Sequence, residues 1–179
     1  EKIVNEVDVV IISDYAKGVI TQAVCSKLIE LARSINKPVI VDPKPKHRDI
    51  YSNATLITPN NAEASEMTNI EDGDDAVLEM GSKLVKYLNS NVLITRGEKG
   101  MSLFEKDGKT AHIPAKAKEV YSLIGAGDTV VAAIALALAS GANFEEAATI
   151  ANIAAGIKVG KIGTASVSIE EIKRGIDEL

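Results

Sequence analysis

Tryptophan is missing from this chain, and aromatic residues of all kinds make up only 3% of it. A core built without large rings must come from Ile, Val, Leu and Ala, and the 46% hydrophobic content supplies enough of them. That palette suits an α/β layer protein with buried parallel strands. Cysteine is almost absent. Cys25 stands alone, which excludes an internal disulfide and fits a reducing cytoplasm. Positive charge is not in excess either: 20 Lys and Arg stand against 25 Asp and Glu, a net charge of −5 with the signs well mixed. No basic stripe is offered to nucleic acid. Long apolar runs are lacking. The strongest, residues 130–139, is far too short to span a bilayer, and no signal peptide is visible. Repeats, low-complexity segments and linkers are absent as well.

What is present is an alternation of short apolar runs with helical periodicities. Residues 8–13, 38–42, 54–58 and 92–95 have the length and composition of buried strands. Residues 20–34 read as a helix capped by Thr21, with Val24, Leu28, Leu31 and Ile35 on one face. A short helix is expected over 62–67. A longer one follows over 75–88, with Val77, Met80, Leu84 and Leu88 aligned. Residues 100–105 and 109–113 pair as a hairpin around Lys106-Asp107-Gly108, because Asp-Gly favours a tight turn. Helices over 128–139, 145–159 and 169–178 complete the chain. At 179 residues this is one domain or a large part of one. Strands alternating with helices imply right-handed βαβ units on a mostly parallel sheet.

Ligands in such sheets bind beyond the carboxyl ends of the strands. The polar punctuation falls there: Asp14 to Gly18 after the first strand, Asp42-Pro43-Lys44 after the second, Thr58 to Glu63 after the third and Thr95 to Gly100 after the fourth. The sharpest signal is Gly125-Ala126-Gly127-Asp128-Thr129, which opens an apolar helix. Small residues let the backbone approach an anion, and the amides and dipole of a helix start favour phosphate. Asp128 would repel that phosphate unless it has work to do there, and the obvious work is to accept a proton from an attacking hydroxyl. An Asp at a helix start is also an ordinary cap. A dinucleotide fingerprint fails because Val130 stands where a third glycine belongs. A P-loop over Gly156 to Ile162 fails on spacing and lacks the hydroxyl. The acidic cluster Glu71 to Asp75 does not have calcium-loop spacing and reads as a solvated turn that caps the next helix. His47 and His112 have no ligand-like spacing, so a zinc site is not expected.

Asn60-x-x-Glu63, Thr95-Arg96-Gly97-x-x-Gly100 and Gly125-Ala126-Gly127-Asp128-Thr129, in this order and at these separations, resemble the ribokinase-like (PfkB) carbohydrate kinases over essentially the whole chain. Further segments narrow the likeness: Ser13 to Gly18, Val41 to Lys44, Ile57 to Asn60, and Gly160 to Ala165. They are similar to the heptose 7-phosphate kinase branch found in bifunctional bacterial proteins of ADP-heptose synthesis. The resemblance implies a three-layer αβα fold and transfer of the ATP γ-phosphate to the anomeric hydroxyl of that sugar phosphate. It implies Asp128 as base and Gly125, Ala126 and Gly127 as the anion hole. Asn60 and Glu63 would sit by the phosphates and organise Mg²⁺, Glu63 through water. Thr95, Arg96, Gly97 and Gly100 would line the nucleotide, and Asn152 and Gly163 the adenine pocket. Lys17 and Lys44 would contact phosphates, the alternative for each being a solvated loop residue. A fructose- or ribose-type kinase, or a non-catalytic nucleotide-binding module, stands as the alternative function.

Two departures from the pattern shape the expectation. The family usually has Asp-x-Thr just before Gly-Ala-Gly-Asp, whereas this chain has Ser122-Leu123-Ile124. The missing Asp helps bind a monovalent cation in many relatives. Family members also run near 300 residues. This chain starts at Glu1 and reaches a buried-type strand within a few residues, as expected of the C-terminal, nucleotide-binding portion of one kinase domain. The N-terminal part would bring the lid, an early Gly-Gly motif, most sugar contacts and a homodimer surface.

Overall fold

The computed structural model describes residues 2–73, 75–116 and 120–178; Glu1 and Asp74 of the acidic cluster lie outside them. Among these residues six strands form one sheet in chain order: β1 Val10–Ser13, β2 Val39–Asp42, β3 Leu56–Ile57, β4 Asn91–Thr95, β5 Met101–Phe104 and β6 Thr110–Ile113. The first four are parallel and the last two add as an antiparallel hairpin. Right-handed crossovers between strands laid down in order put every connecting helix on one face. That face carries α1 Lys2–Glu6, α2 Gln22–Ser34, α3 Asn61–Thr68 and α4 Val77–Leu88. The opposite face is covered by α5 Ala126–Ala139 and α6 Phe144–Val159, with α7 Ile169–Asp177 packed on α6.

Period-2 alternation divides the strand residues between two cores. Ile12, Val41, Ile57, Val92, Ile94 and Phe104 face the first helix layer. Ile40, Leu56, Leu93, Leu103 and Ile113 face α5 and α6. Each fully buried Ile or Leu contributes about 1.5–3 kcal/mol. The three-layer fold is therefore written in aliphatic residues, as the poverty of aromatics requires. β1 and β6 form the sheet edges, and on β1 Ile11 is 45% exposed.

Four local expectations need correction. The buried stripe of α2 runs through Cys25, Ile29 and Ala32, while Val24 is 42% exposed. The stripe is set one residue later because the crossover presents that side to the sheet, and Leu28, Leu31 and Ile35 flank it. α4 starts at Val77, and its N-cap is Ala76, with no side-chain cap. The acidic turn does not cap this helix: Asp72 instead accepts from the Asn61 amide of α3. Only Leu56–Ile57 pair fully in β3, although Thr55 N and Thr58 N still donate to Val39 O and Val41 O. A 3₁₀ segment, Pro45–Tyr51, has no hydrophobic period to announce it. No helix among the described residues is long and apolar enough to cross a membrane.

Candidate active site

The carboxyl ends of β1 to β4 and the start of α5 meet at one cleft of about 240 Å³. β1 delivers Tyr15, β2 delivers Asp42 and Lys44, and the turn after β3 delivers Thr58, Asn60 and Glu63. Thr95 ends β4, and Gly125, Gly127 and Asp128 close the far wall.

Gly125 makes the turn into α5 at φ +77°, a conformation that side chains with a Cβ resist. The loop is braced locally: Ala126 N donates to Leu123 O, and Thr129 returns both its amide and its hydroxyl to Gly125 O at 3.0 and 2.8 Å. The amides of Gly127 and Asp128 belong to the first helical turn, where the helix offers no internal acceptor. Asp128 is exposed and accepts a long hydrogen bond, 3.4 Å, from the Tyr15 hydroxyl.

Asn60 and Glu63 meet for a reason local to the chain. Asn60 Oδ1 accepts from Glu63 N at 2.9 Å and Glu63 Oε2 from Asn60 N at 3.0 Å, a capping box that starts α3. The remaining Glu63 oxygen accepts from the Lys44 ammonium. That bond is the main cause holding Lys44 above the ordinary lysine range. Lys44 is itself anchored. Its amide donates to the Tyr51 hydroxyl at 3.0 Å, and that hydroxyl donates to Asp14 Oδ2 at 2.6 Å. Asp14 is 1% exposed and also meets His47 Nδ1 at 2.7 Å and the Ala16 amide at 2.7 Å. Burial alone pushes Asp14 up, but the bonds from Tyr51, His47 and Ala16 together outweigh it and hold this carboxyl below its ordinary value.

Asp42 has the opposite fate. Burial first, then the charges of Glu63, Asp128 and Asp14, push it up to about 6 against the pull of Lys44. Between pH 4 and 6 the folded chain therefore holds a proton that the unfolded chain has lost, so stability falls as pH rises through that window. Asp14 acts below pH 4 and in the other direction, its contribution being lost as pH falls. Asp42→Asn is expected to flatten the decline between pH 4 and 6 and to stabilise the chain at pH 7 by on the order of 1–2 kcal/mol. Urea titrations at a series of pH values measure this; an unchanged slope would show that Asp42 titrates normally.

The expected site residues are not all in the cleft. Arg96, Gly97 and Gly100 form the turn after β4. Arg96 N donates to Gly100 O at 2.8 Å, and its guanidinium donates to Ser102 Oγ at 3.3 Å. Gly97 is exposed, and Gly100 is buried away from the cleft lining. Asn152, buried on α6, donates to Pro114 O at 2.6 Å, and Gly163 O accepts from Lys158 at 2.8 Å. Lys17 is exposed and lies outside the cleft lining. Motif reading gave no role to Asp14, Tyr15, Asp42, Tyr51 or Lys158. For the first three the signal was the polar end of a buried strand; for the last two the sequence offers none.

The chain matches the profile of the pfkB family carbohydrate kinases over residues 1–172. It is 42% identical to the bifunctional protein HldE of Azorhizobium caulinodans, across 99% of this chain and 37% of that protein. Identity to the HldE of Geobacter metallireducens is 48%, across 92% of this chain and 34% of the relative. The chain thus spans little more than a third of the curated relatives it matches. Among solved structures, Arabidopsis thaliana ribokinase complexed with ribose and ATP superposes with a TM-score of 0.82 at 24% identity, covering 98% of this chain and 57% of that one. Phosphofructokinase-2 of Escherichia coli in complex with potassium gives 0.85 at 22%, covering 99% and 60%. The fold is accordingly the ribokinase-like three-layer one, and the chain belongs to the pfkB family of carbohydrate kinases.

Proposed function

We propose that these residues form the ATP-side portion of a kinase that phosphorylates the anomeric hydroxyl of a heptose 7-phosphate. The observation that carries the reading is the position of Asp128, in the first turn of α5, across one cleft from the Lys44–Glu63 pair. As the sugar oxygen attacks the γ-phosphorus, its proton passes to the Asp128 carboxylate. The bond from phosphorus to the β,γ-bridging oxygen breaks, and ADP leaves. The amides of Gly127 and Asp128, in the open first turn of α5, face the charge that develops on the moving phosphoryl group, while that of Ala126 is held by Leu123 O. Lys44 approaches the phosphates as a point charge. Likeness to the HldE proteins supports the heptose substrate.

Mg²⁺ suits the oxygen donors here. Asp42 and Glu63 would hold it, and it would neutralise phosphate charge. An ion of this kind would keep waters and phosphate oxygens in its shell. The lid, the remaining sugar contacts and a homodimer surface belong in this reading to kinase sequence beyond these residues.

Transfer from Mg-ATP to a panel of heptose 7-phosphate, fructose, fructose 6-phosphate and ribose tests the proposal. In the full-length natural protein, heptose 7-phosphate should lead in kcat/KM by at least about a hundredfold. The 179 residues alone should turn over little, since water exclusion and sugar orientation come from the lid side. A preference for fructose or ribose would move the chain to another branch of the family. Tight Mg-ADP binding without transfer to any sugar would leave a nucleotide-binding module.

A further inference from the structure

The cleft is poor in positive charge for a site that takes a polyphosphate. Asp42, Glu63 and Asp128 line it against a single lysine, Lys44. A second cation stands behind the wall. Lys158, in the last turn of α6, is only 2% exposed. Its Cε lies 3.5 Å from where a Cβ on Gly125 would stand, in ordinary contact with the turn that starts α5. Among the described residues its ammonium has one hydrogen-bond partner, Gly163 O at 2.8 Å, and no carboxylate pairs with it. Backbone bonds gather the neighbouring segments at this helix end. Val159 O takes the amides of Tyr121 and Ser122, and Lys158 O takes that of Lys161, so the segment before the anion loop and the segment after α6 are tied to one helix end. Ser122-Leu123-Ile124 brings no charge of its own.

Burying an ammonium without a counter-charge is expensive. The cost is offset where an anion binds close by, because the same low-dielectric surroundings strengthen the attraction between them. A helix C-terminus favours a cation in the same place.

We propose that Lys158 is a built-in cation of the anion loop. Its ammonium supplies, from behind Gly125, the charge that a free monovalent ion would otherwise supply, and makes phosphate binding at Gly125 to Asp128 independent of monovalent salt. It acts through the loop as a positioning residue and does not touch the reacting atoms. This inference rests on the reading of that loop as the phosphate site.

The test is calorimetric titration of the full-length natural protein with Mg-ADP in chloride salts of choline, Na⁺, K⁺ and NH₄⁺ at equal ionic strength. The parent should bind equally in all four. Lys158→Ala opens a space beside Gly163 O, so its affinity should drop about tenfold or more in choline. NH₄⁺ or K⁺ should restore it. Lys158→Met, which fills the space without charge, should lose affinity in every salt, and Lys158→Arg should retain most of it. Circular dichroism and melting confirm that each variant is folded. A parent that needs K⁺ overturns the inference whether or not the variants fold. So does a folded Lys158→Ala that binds like the parent, or one that no cation restores. A parent that binds no Mg-ADP in any salt sinks the phosphate-site reading itself, and this inference with it.

Discussion

Asp128→Asn in the full-length natural protein should lower kcat by about a thousandfold, within the range that general base catalysis commonly supplies. Asparagine keeps the size of the side chain, and its Oδ1 can still accept from the Tyr15 hydroxyl, which now reaches Asp128 at 3.4 Å. What disappears is the basic oxygen pair. Mg-ADP affinity should hold or improve, because a negative charge beside the phosphate has been removed. Steady-state kinetics together with a nucleotide titration separate the two effects. A full rate in the variant would take Asp128 out of the chemistry and leave it as a helix-start residue. A fall in rate matched by an equal loss of nucleotide affinity would show damage to the loop instead of loss of a base.

The second large effect belongs to folding. Gly100→Ala should destabilise the chain by about 3–5 kcal/mol. Gly100 sits at φ +81°, ψ −131°, and a Cβ there would run into the Ile113 carbonyl, with Ala115 N 2.6 Å and Pro114 C 2.8 Å away. All three obstacles are backbone, so no rotamer change relieves them. The β5–β6 hairpin would have to move off the turn, and Met101, which opens β5, packs in the second core. Gly97 in the same motif faces open space, so Gly97→Asn should cost no more than about 1 kcal/mol. Urea denaturation of both variants measures the contrast. Equal stability of Gly100→Ala and the parent would show that the hairpin yields easily there.

That pair of glycines illustrates what was legible in the sequence. Thr-Arg-Gly-x-x-Gly marks the place after β4 correctly, but spacing alone cannot say which glycine serves the backbone and which faces solvent. The strands were legible because a parallel sheet buried on both faces leaves continuous aliphatic runs. Thr21 was legible as a cap because its hydroxyl has one local job, accepting from Val24 N. The start of α5 was legible from its glycines but read two residues late, at 128 instead of 126, because Gly125 begins that helix through its backbone with no side chain to mark the cap. The Asp14–Tyr51–His47 cluster was not legible. Its members lie up to 37 residues apart, and only the 3₁₀ turn over 45–51 brings them together. Lys158 was hidden by its setting, one lysine within a helix that is otherwise largely Ala, Ile and Val.

The agreement between strand order and chain order bears on how the molecule is made. As the chain leaves the ribosome, β1 to β6 can join one at a time, and each crossover helix arrives with its strand to cover the first face. The second face has no such escort. Ile40, Leu56, Leu93 and Leu103 stay bare until α5 and α6 emerge, roughly 45 residues after β6 is complete, a wait of a few seconds at about 5–20 residues per second. For that interval the nascent chain presents one greasy sheet surface. The helix that finally shields it is also the one whose first turn completes the cleft at the strand ends, so a chain stalled before α5 is both sticky and without that cleft.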